Sequence, residues 1–335
     1  MGRKVARPPP PILPTCLQPN LTADLPLPSA ADYTPAWDTK IHVAFYDTRK
    51  KPATGSMLMA AALFNTSRVL FHVLLVHPRP VPGMRVTDVS RLPPLVECLH
   101  TRLKRLAHGP GPQYLLKPLL HWVMPREVRR LILLDTDVVV VRGIAPLWAQ
   151  FRRFDGAVLG VGNEQSNLYK APDGRPTGKN GGVQLLHFDA MRASRPYAAA
   201  LDEYASGRAG KWIGYLGDQT LYSFMAHTHA ALLFQLGCEW NRQISMQFGF
   251  RNATVHSCAS RCMLLHANFG PLKCVAKHMQ AHGGRCDAWT RLLAGGEEAC
   301  PRARRKEFFR AGKRFFSDCC SRRGNGTLTH QSWAP

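Results

Sequence analysis

The chain has 335 residues, 45% hydrophobic, 20% charged and 9% aromatic, which excludes a disordered, collagen-like or coiled-coil protein. Its 44 Lys+Arg against 22 Asp+Glu give a formal net charge of +22 at pH 7, which favours anionic partners: nucleic acid, anionic lipid headgroups, nucleotide phosphates or acidic glycans. No apolar run approaches the ~18 residues of a membrane span, and no secretory leader is read at the start, so the chain reads as soluble, or as anchored through a segment outside it.

Residues 1–38 are Pro-rich and aperiodic, and Pro8 to Pro11 reads as stiff polyproline, so this stretch is expected to be a stem or linker. A strand is predicted over Ile41–Tyr46, a helix over Ala53–Phe64 and a second, almost wholly apolar strand over Val69–Val76, as in a buried parallel sheet. Val86–Ala107 is mixed, with a helical stretch near its end, and Tyr114–Val123 reads as helical. Arg130–Val141 is the strongest apolar run. Val183–Phe188 then reads as a strand, Asp189–Tyr204 as one helix, and strand-like segments follow at Ala231–Leu236 and Met263–His266. This alternation implies an α/β fold, a mainly parallel sheet with helices on both faces. From about Lys277 the chain turns basic and cysteine-rich.

No G-x-x-x-x-G-K-[ST] phosphate loop, no G-x-G-x-x-G after the first strand and no G-x-S-x-G elbow is present. P-loop, dinucleotide and α/β-hydrolase chemistry are therefore not expected. The informative segment is Asp135-Thr136-Asp137, two carboxylates inside the apolar run. Two acids one residue apart at a strand end can share a hard divalent cation, which takes its other ligands from substrate phosphates. The plainer alternative is a solvated turn, but Val138–Val141 resumes the apolar run directly. His266, ending a short strand, can complete the shell of a borderline cation such as Mn²⁺, or serve as a structural histidine. Gly270 and Lys273 could meet a pyrophosphate. In Asn180-Gly181-Gly182-Val183, the glycines would let a ligand approach the backbone and Asn180 would offer its amide to sugar hydroxyls, unless the segment is a plain turn. Asp218, before a helical stretch, reads either as a site residue or as an N-cap.

Ten cysteines, eight of them between Cys238 and Cys320, suit an oxidising compartment better than zinc, since Cys258 and Cys262 are joined by no C-x-x-C pair. Four Asn-x-Ser/Thr sequons, at Asn20, Asn65, Asn252 and Asn325, point the same way.

In order, these pieces resemble glycosyltransferase family 8 from about Ile41 to Lys273. They are Asp135-Thr136-Asp137 followed by Ile144-Ala145-Pro146-Leu147-Trp148, then Asn180-Gly181-Gly182-Val183, Asp218-Gln219, Cys238-Glu239-Trp240-Asn241, and His266 with Gly270. Trp240–Ser245 and Asn163-Glu164-Gln165-Ser166 are similar to the LARGE-type branch, and His266–Gly270 to the glucoside xylosyltransferases. The chain departs from the family's Lys-Pro-Trp at Cys274-Val275, and nothing of the length of a second LARGE catalytic domain follows Lys273.

The resemblance implies a GT-A, Rossmann-like catalytic domain over 39–276, between the stem and a basic, Cys-rich extension at 277–335. It implies retaining transfer from a UDP-sugar, UDP-xylose by the branch it resembles, to a glycan or glycoprotein acceptor in the Golgi, the ER lumen or elsewhere in the secretory pathway. By that resemblance Asp135, Asp137 and His266 hold Mn²⁺, which acts on the diphosphate together with Lys273 and Gly270. Phe45 and Tyr46 stand where uridine is contacted, and Thr136 lies within the metal motif. Lys117 is the basic donor-site residue, Asn180 and Gly182 line the sugar, and Asp218 and Gln219 are the catalytic pair. Two rivals remain: a catalytically degenerate fold that only binds, and a basic nucleic-acid binder. The second lacks a recognisable module or aromatic–basic interleaving, so no nucleic-acid partner is expected.

Overall fold

The computed structural model describes residues 40–47, 69–78, 80–81, 83–92, 94–106, 111–140, 143–165, 178–210, 217–243, 260, 263–266 and 268. The predicted stem, the helix at Ala53–Phe64, all four sequons, Gly270, Lys273 and the extension at 277–335 lie outside these residues.

A seven-stranded sheet forms the centre. Its strands are β1 (Ile41–Asp47), β2 (Val69–Leu75), β3 (Arg85–Asp88), β4 (Arg130–Leu134), β6 (Leu159–Asn163), β7 (Lys179–His187) and β8 (Leu233–Leu236), in the order β3-β2-β1-β4-β7-β6-β8. The pairs β2–β3, β1–β2, β1–β4 and β6–β8 are parallel, while β7 runs against both β4 and β6. The inner strands β1, β2 and β4 are largely apolar on both faces because both are covered, while the edge strand β3 (Arg-Val-Thr-Asp) is mostly exposed. Val43, Phe45, Ile132, Leu134, Val183 and Leu185 point into one apolar cluster; Ala44, Tyr46, Leu131, Leu133 and Leu186 point into the other. Helices α1 (Pro94–Lys104), α2 (Leu120–Val123), α4 (Phe188–Ala193), α5 (Arg195–Ala205) and α6 (Asp218–Thr228) supply residues to the second cluster, and α3 (Ala145–Trp148) with Phe151 and Phe154 to the first.

Two predicted helices differ in detail. Tyr114–Val123 is a 3-10 segment (Pro112–Leu119) that runs into α2. Pro118 has no N–H to give an α-helical ladder. Asp189–Tyr204 is two helices rather than one. Ser194 ends α4 and caps α5, its side chain accepting from Tyr197 N at 3.1 Å, with Pro at the first turn.

The apolar run Arg130–Val141 does not stay in one sheet. β4 ends at Leu134, Asp135–Val138 closes a turn with Val138 N donating to Asp135 O at 3.1 Å, and β5 (Val138–Val140) joins a second, three-stranded sheet. There β10 (Leu264–His266) pairs antiparallel with β5 and parallel with β9 (Arg242–Gln243). The register His266↔Val138 sets the histidine beside the acidic turn.

On the helical side, His121 is buried, its ring 3.9 Å from that of Trp122 and edge-on to Tyr197 at 5.6 Å. Burial, with Arg192 nearby, lowers its pKa to about 3. An unfolded histidine titrates near about 6.5. Between those values the unfolded chain binds a proton that the native state refuses, so this group's stability is complete above about pH 6.5 and is lost as pH falls toward 3. A His121→Leu variant should therefore gain on the wild type by about 2 kcal/mol on going from pH 8 to pH 5. Parallel thermal-melt curves for the two proteins across that range would contradict this.

Candidate active site

The site forms where β4 ends and β7 begins. Because β7 is antiparallel to β4, with Leu134↔Val183 in register, its first residues lie beside the acidic turn, and Asp135 N donates to Gly182 O at 2.9 Å. The turn carries Asp135, Thr136 and Asp137, all half-buried. His266 Nε2 lies 3.4 Å from Asp137 Oδ1 and 4.0 Å from Asp135 Oδ2. One ligand atom from each of the three lies within 4.8 Å of the others, a cluster able to hold a metal ion. The donor chemistry fits: two carboxylates and one imidazole suit a borderline divalent cation. His266 Nδ1 is engaged with Asn241 Oδ1 at 3.0 Å, which leaves Nε2 facing the carboxylates. Burial opposes the charged imidazole, but Asp137 and Asp135 together hold its pKa above the ordinary histidine value.

Beneath the turn lies Lys117, 1% exposed, on the 3-10 segment. Its Nζ donates to Asp135 Oδ1 at 2.8 Å and to Gly181 O at 3.3 Å, and lies 3.7 Å from Asp218 Oδ2. Burial would lower its pKa, yet Asp135 and Asp218 outweigh burial and raise it. Asp218 is the first residue of α6, after Gly217, so it is not the cap. Its carboxylate turns inward and accepts from Gln184 Nε2 at 3.1 Å, while Tyr222 donates to Gln184 Oε1 at 2.9 Å. Burial, only partly offset by Lys117, raises the Asp218 pKa to about 7. Gln219 follows, half-buried, at the start of α6.

The two glycines of β7 make room for protein side chains on opposite faces of the strand. A Cβ on Gly182 would lie 2.7 Å from His266 Nε2 and closer still to Nδ1 and Cε1. A Cβ on Gly181 would lie 2.6 Å from Asp218 Oδ2. Real Cβ atoms do not approach so closely, so glycine here admits the histidine ring and the carboxylate.

Three of the expected contact residues are buried in this structure. Phe45 is 1% exposed and stacks toward Phe71 in the core, on the strand face turned away from Tyr46. Tyr46 is buried, donates to Gln113 O at 2.8 Å and meets Tyr114 edge-on at 6.4 Å. Asn180 is also buried and its side chain is spent inside the protein: Nδ2 donates to Glu164 Oε2 at 2.8 Å, and Oδ1 accepts from Gly182 N at 3.0 Å and Asn241 Nδ2 at 2.8 Å.

No protein-family model matches the chain. Xyloside xylosyltransferase 1 of Mus musculus is 31% identical over 204 residues, 53% of this chain and 48% of that protein. The xylosyl- and glucuronyltransferase LARGE2 of Homo sapiens is 31% identical over 229 residues, 64% of this chain and 29% of that protein. The crystal structure of mouse xyloside xylosyltransferase 1 in its apo form matches with a TM-score of 0.55 at 21% identity, over 68% of this chain and 98% of that one. The chain is similar in sequence to these xylosyltransferases. Its fold is GT-A. It spans about half the length of the xyloside xylosyltransferase it matches.

The two segments whose sequence is similar to the LARGE-type branch meet in space. Gln165 N donates to Gln243 Oε1 at 3.2 Å, Gln243 N to Gln165 Oε1 at 3.0 Å, and Gln165 Nε2 to Asn241 O at 3.3 Å. These bonds fasten the small sheet, and with it His266, to the loop after β6. Sequence reasoning singled out neither Asn241 nor Glu164 nor Gln184 as a site residue. Asn241 and Glu164 stood within the family-like motifs, and that was their only signal. Cys98 and Cys238 are both disulfide-bonded.

Proposed function

We propose that this protein is a retaining, Mn²⁺-dependent glycosyltransferase that moves xylose from UDP-xylose to a glycan or glycoprotein acceptor, with residues 39–276 as its catalytic domain. The observation that carries this reading is the cluster of Asp135, Asp137 and His266 at the end of β4 in a GT-A fold. Relatives named for xylosyl transfer support the choice of sugar. A cation bound there would supply Lewis-acid neutralisation of the departing diphosphate. The chain's own residues set the rest. Asp135 and Asp137 present carboxylate oxygens to the ion, and His266 presents Nε2. Lys117 fixes Asp135 by a buried charge-assisted hydrogen bond and adds positive charge under the site. Asp218 holds Lys117 from the other side, and Gln219, half-buried next to it, is our choice of the pair to meet the donor sugar. Thr136 is a central residue of the metal-holding turn, and Gly270 and Lys273 remain proposed diphosphate contacts.

Disulfide-bonded Cys98 and Cys238 and the four sequons support residence in the secretory lumen. Among the described residues no helix is long and apolar enough to cross a membrane.

The test is UDP release by the purified protein with UDP-xylose, UDP-glucose, UDP-galactose and UDP-glucuronate, in Mn²⁺ or EDTA. Release is expected with Mn²⁺, fastest from UDP-xylose, and abolished by EDTA. Silence on all four donors, together with no rise in melting temperature from UDP and Mn²⁺, would replace this reading with that of a binding-only fold.

A further inference from the structure

A buried chain of polar side chains runs from Glu164 to the metal cluster, and its donors and acceptors can be ordered by elimination. Glu164 is 2% exposed, and its carboxylate oxygen accepts from Asn180 at 2.8 Å. A carboxylate only accepts, so Asn180 must turn its NH₂ toward it. The amide oxygen of Asn180 then faces the other way, where Gly182 N, which only donates, meets it at 3.0 Å. Two independent anchors therefore fix the Asn180 amide in one orientation. Its oxygen also faces Asn241 at 2.8 Å, so Asn241 must direct its NH₂ there. That leaves the Asn241 oxygen, an acceptor, 3.0 Å from His266 Nδ1. The proton of a neutral His266 must sit on Nδ1, and the Nε2 lone pair faces Asp137, 3.4 Å away. Each link is nearly sealed from water: Asn180, Asn241 and His266 are 1%, 1% and 3% exposed. Solvent is thus poorly placed to substitute for a lost partner.

We propose that Glu164, acting through Asn180 and Asn241, sets the tautomer and ring orientation of His266, so that Glu164 and Asn241 are positioning residues for the metal ligand. Neither touches the proposed ion or the donor. Outer partners of a metal-bound histidine are worth roughly 10–100-fold in metal affinity. This inference rests on the metal-site reading above.

The experiment uses the full chain and Mn²⁺ alone, so no acceptor is needed. Calorimetric Mn²⁺ titration is expected to show roughly 10–100-fold weaker binding in Asn241→Leu and Glu164→Leu. Glu164→Gln keeps an acceptor oxygen for Asn180 and is expected to bind Mn²⁺ nearly as the wild type does. The double leucine variant should lose no more than Asn241→Leu alone, because both residues act along one path. Asp137→Ala separates the two hypotheses. If it binds Mn²⁺ as well as the wild type, the metal site itself is wrong. If it loses the ion while both leucine variants, folded, bind normally, only the positioning chain is overturned. The ring ¹⁵N spectrum of wild-type, metal-free protein at alkaline pH decides the matter even if a leucine variant does not fold. A proton on Nδ1 of His266 is the expected result, and one on Nε2 overturns the proposal.

Discussion

Asp137→Ala should abolish Mn²⁺-dependent sugar transfer and leave the fold standing. Asp137 contributes a carboxylate to the cation cluster and lies against His266, but it does not pair with the buried lysine. Removing it takes one negative charge from a group of two carboxylates, which relieves repulsion in the metal-free protein. Loss of a cation that stabilises a leaving diphosphate is worth several kcal/mol, so kcat/KM should fall by about three orders of magnitude or more. Asp135→Ala makes the informative contrast. Asp135 accepts from Lys117 at 2.8 Å, and Lys117 is nearly inaccessible to water. Truncating Asp135 leaves that ammonium with Asp218 at 3.7 Å as its remaining carboxylate. Breaking one side of a buried pair costs about 3 kcal/mol or more. Both variants should therefore be inactive, yet only Asp135→Ala should melt markedly lower. Equal melting temperatures would mean that Lys117 does not depend on Asp135, and full activity in Asp137→Ala would remove the metal site.

The acidic pair was legible in the sequence because two carboxylates inside an apolar run are costly unless a cation or a donor offsets their charge. The rest of the α/β pattern followed from continuous apolar strands. What the run did not reveal is that it changes sheets at the turn. Leu131–Leu134 and Val138–Val140 are alike in being wholly aliphatic, and only the pairing of β5 with β10 separates them. Phe45 and Tyr46 are adjacent and both aromatic; a strand buried on both faces gives no alternation to say which points at the site. Lys117, Gln184 and Asp218 converge from three distant segments, a contact that no local pattern encodes. The missed support of His266 has a similar cause. Glu164 and Asn241 are 77 positions apart and look like ordinary polar residues until the small sheet folds onto the loop after β6.

The glycines of β7 were read as openings for a ligand, and their actual use leads to a sharper expectation. Gly182→Ala should destroy metal binding although Gly182 is not a ligand. The added methyl would overlap the imidazole of His266, coming within 2.7 Å of the nitrogen that faces the carboxylates. The strand has little freedom to retreat, because Gly182 O accepts from Asp135 N at 2.9 Å and Gly182 N donates to Asn180 at 3.0 Å. The ring must move instead, and moving it breaks its bond to Asn241 and withdraws Nε2 from Asp137. Mn²⁺ affinity should fall roughly 100-fold, at the upper end of what losing a histidine's support does, with a stability cost of about 1–3 kcal/mol for the overpacking. Gly181→Ala tests the other face of the same strand. Its methyl would press on Asp218 Oδ2 at 2.6 Å and on Gln184 Nε2 at 3.1 Å, away from the histidine. It should leave Mn²⁺ affinity within a few-fold of the wild type while lowering turnover, because it disturbs the Asp218–Lys117 contact and not the ligands. Measuring Mn²⁺ binding and turnover for both variants separates the two faces. If Gly182→Ala keeps its Mn²⁺ affinity, the imidazole is not held where the structure places it, and His266 is not the third ligand.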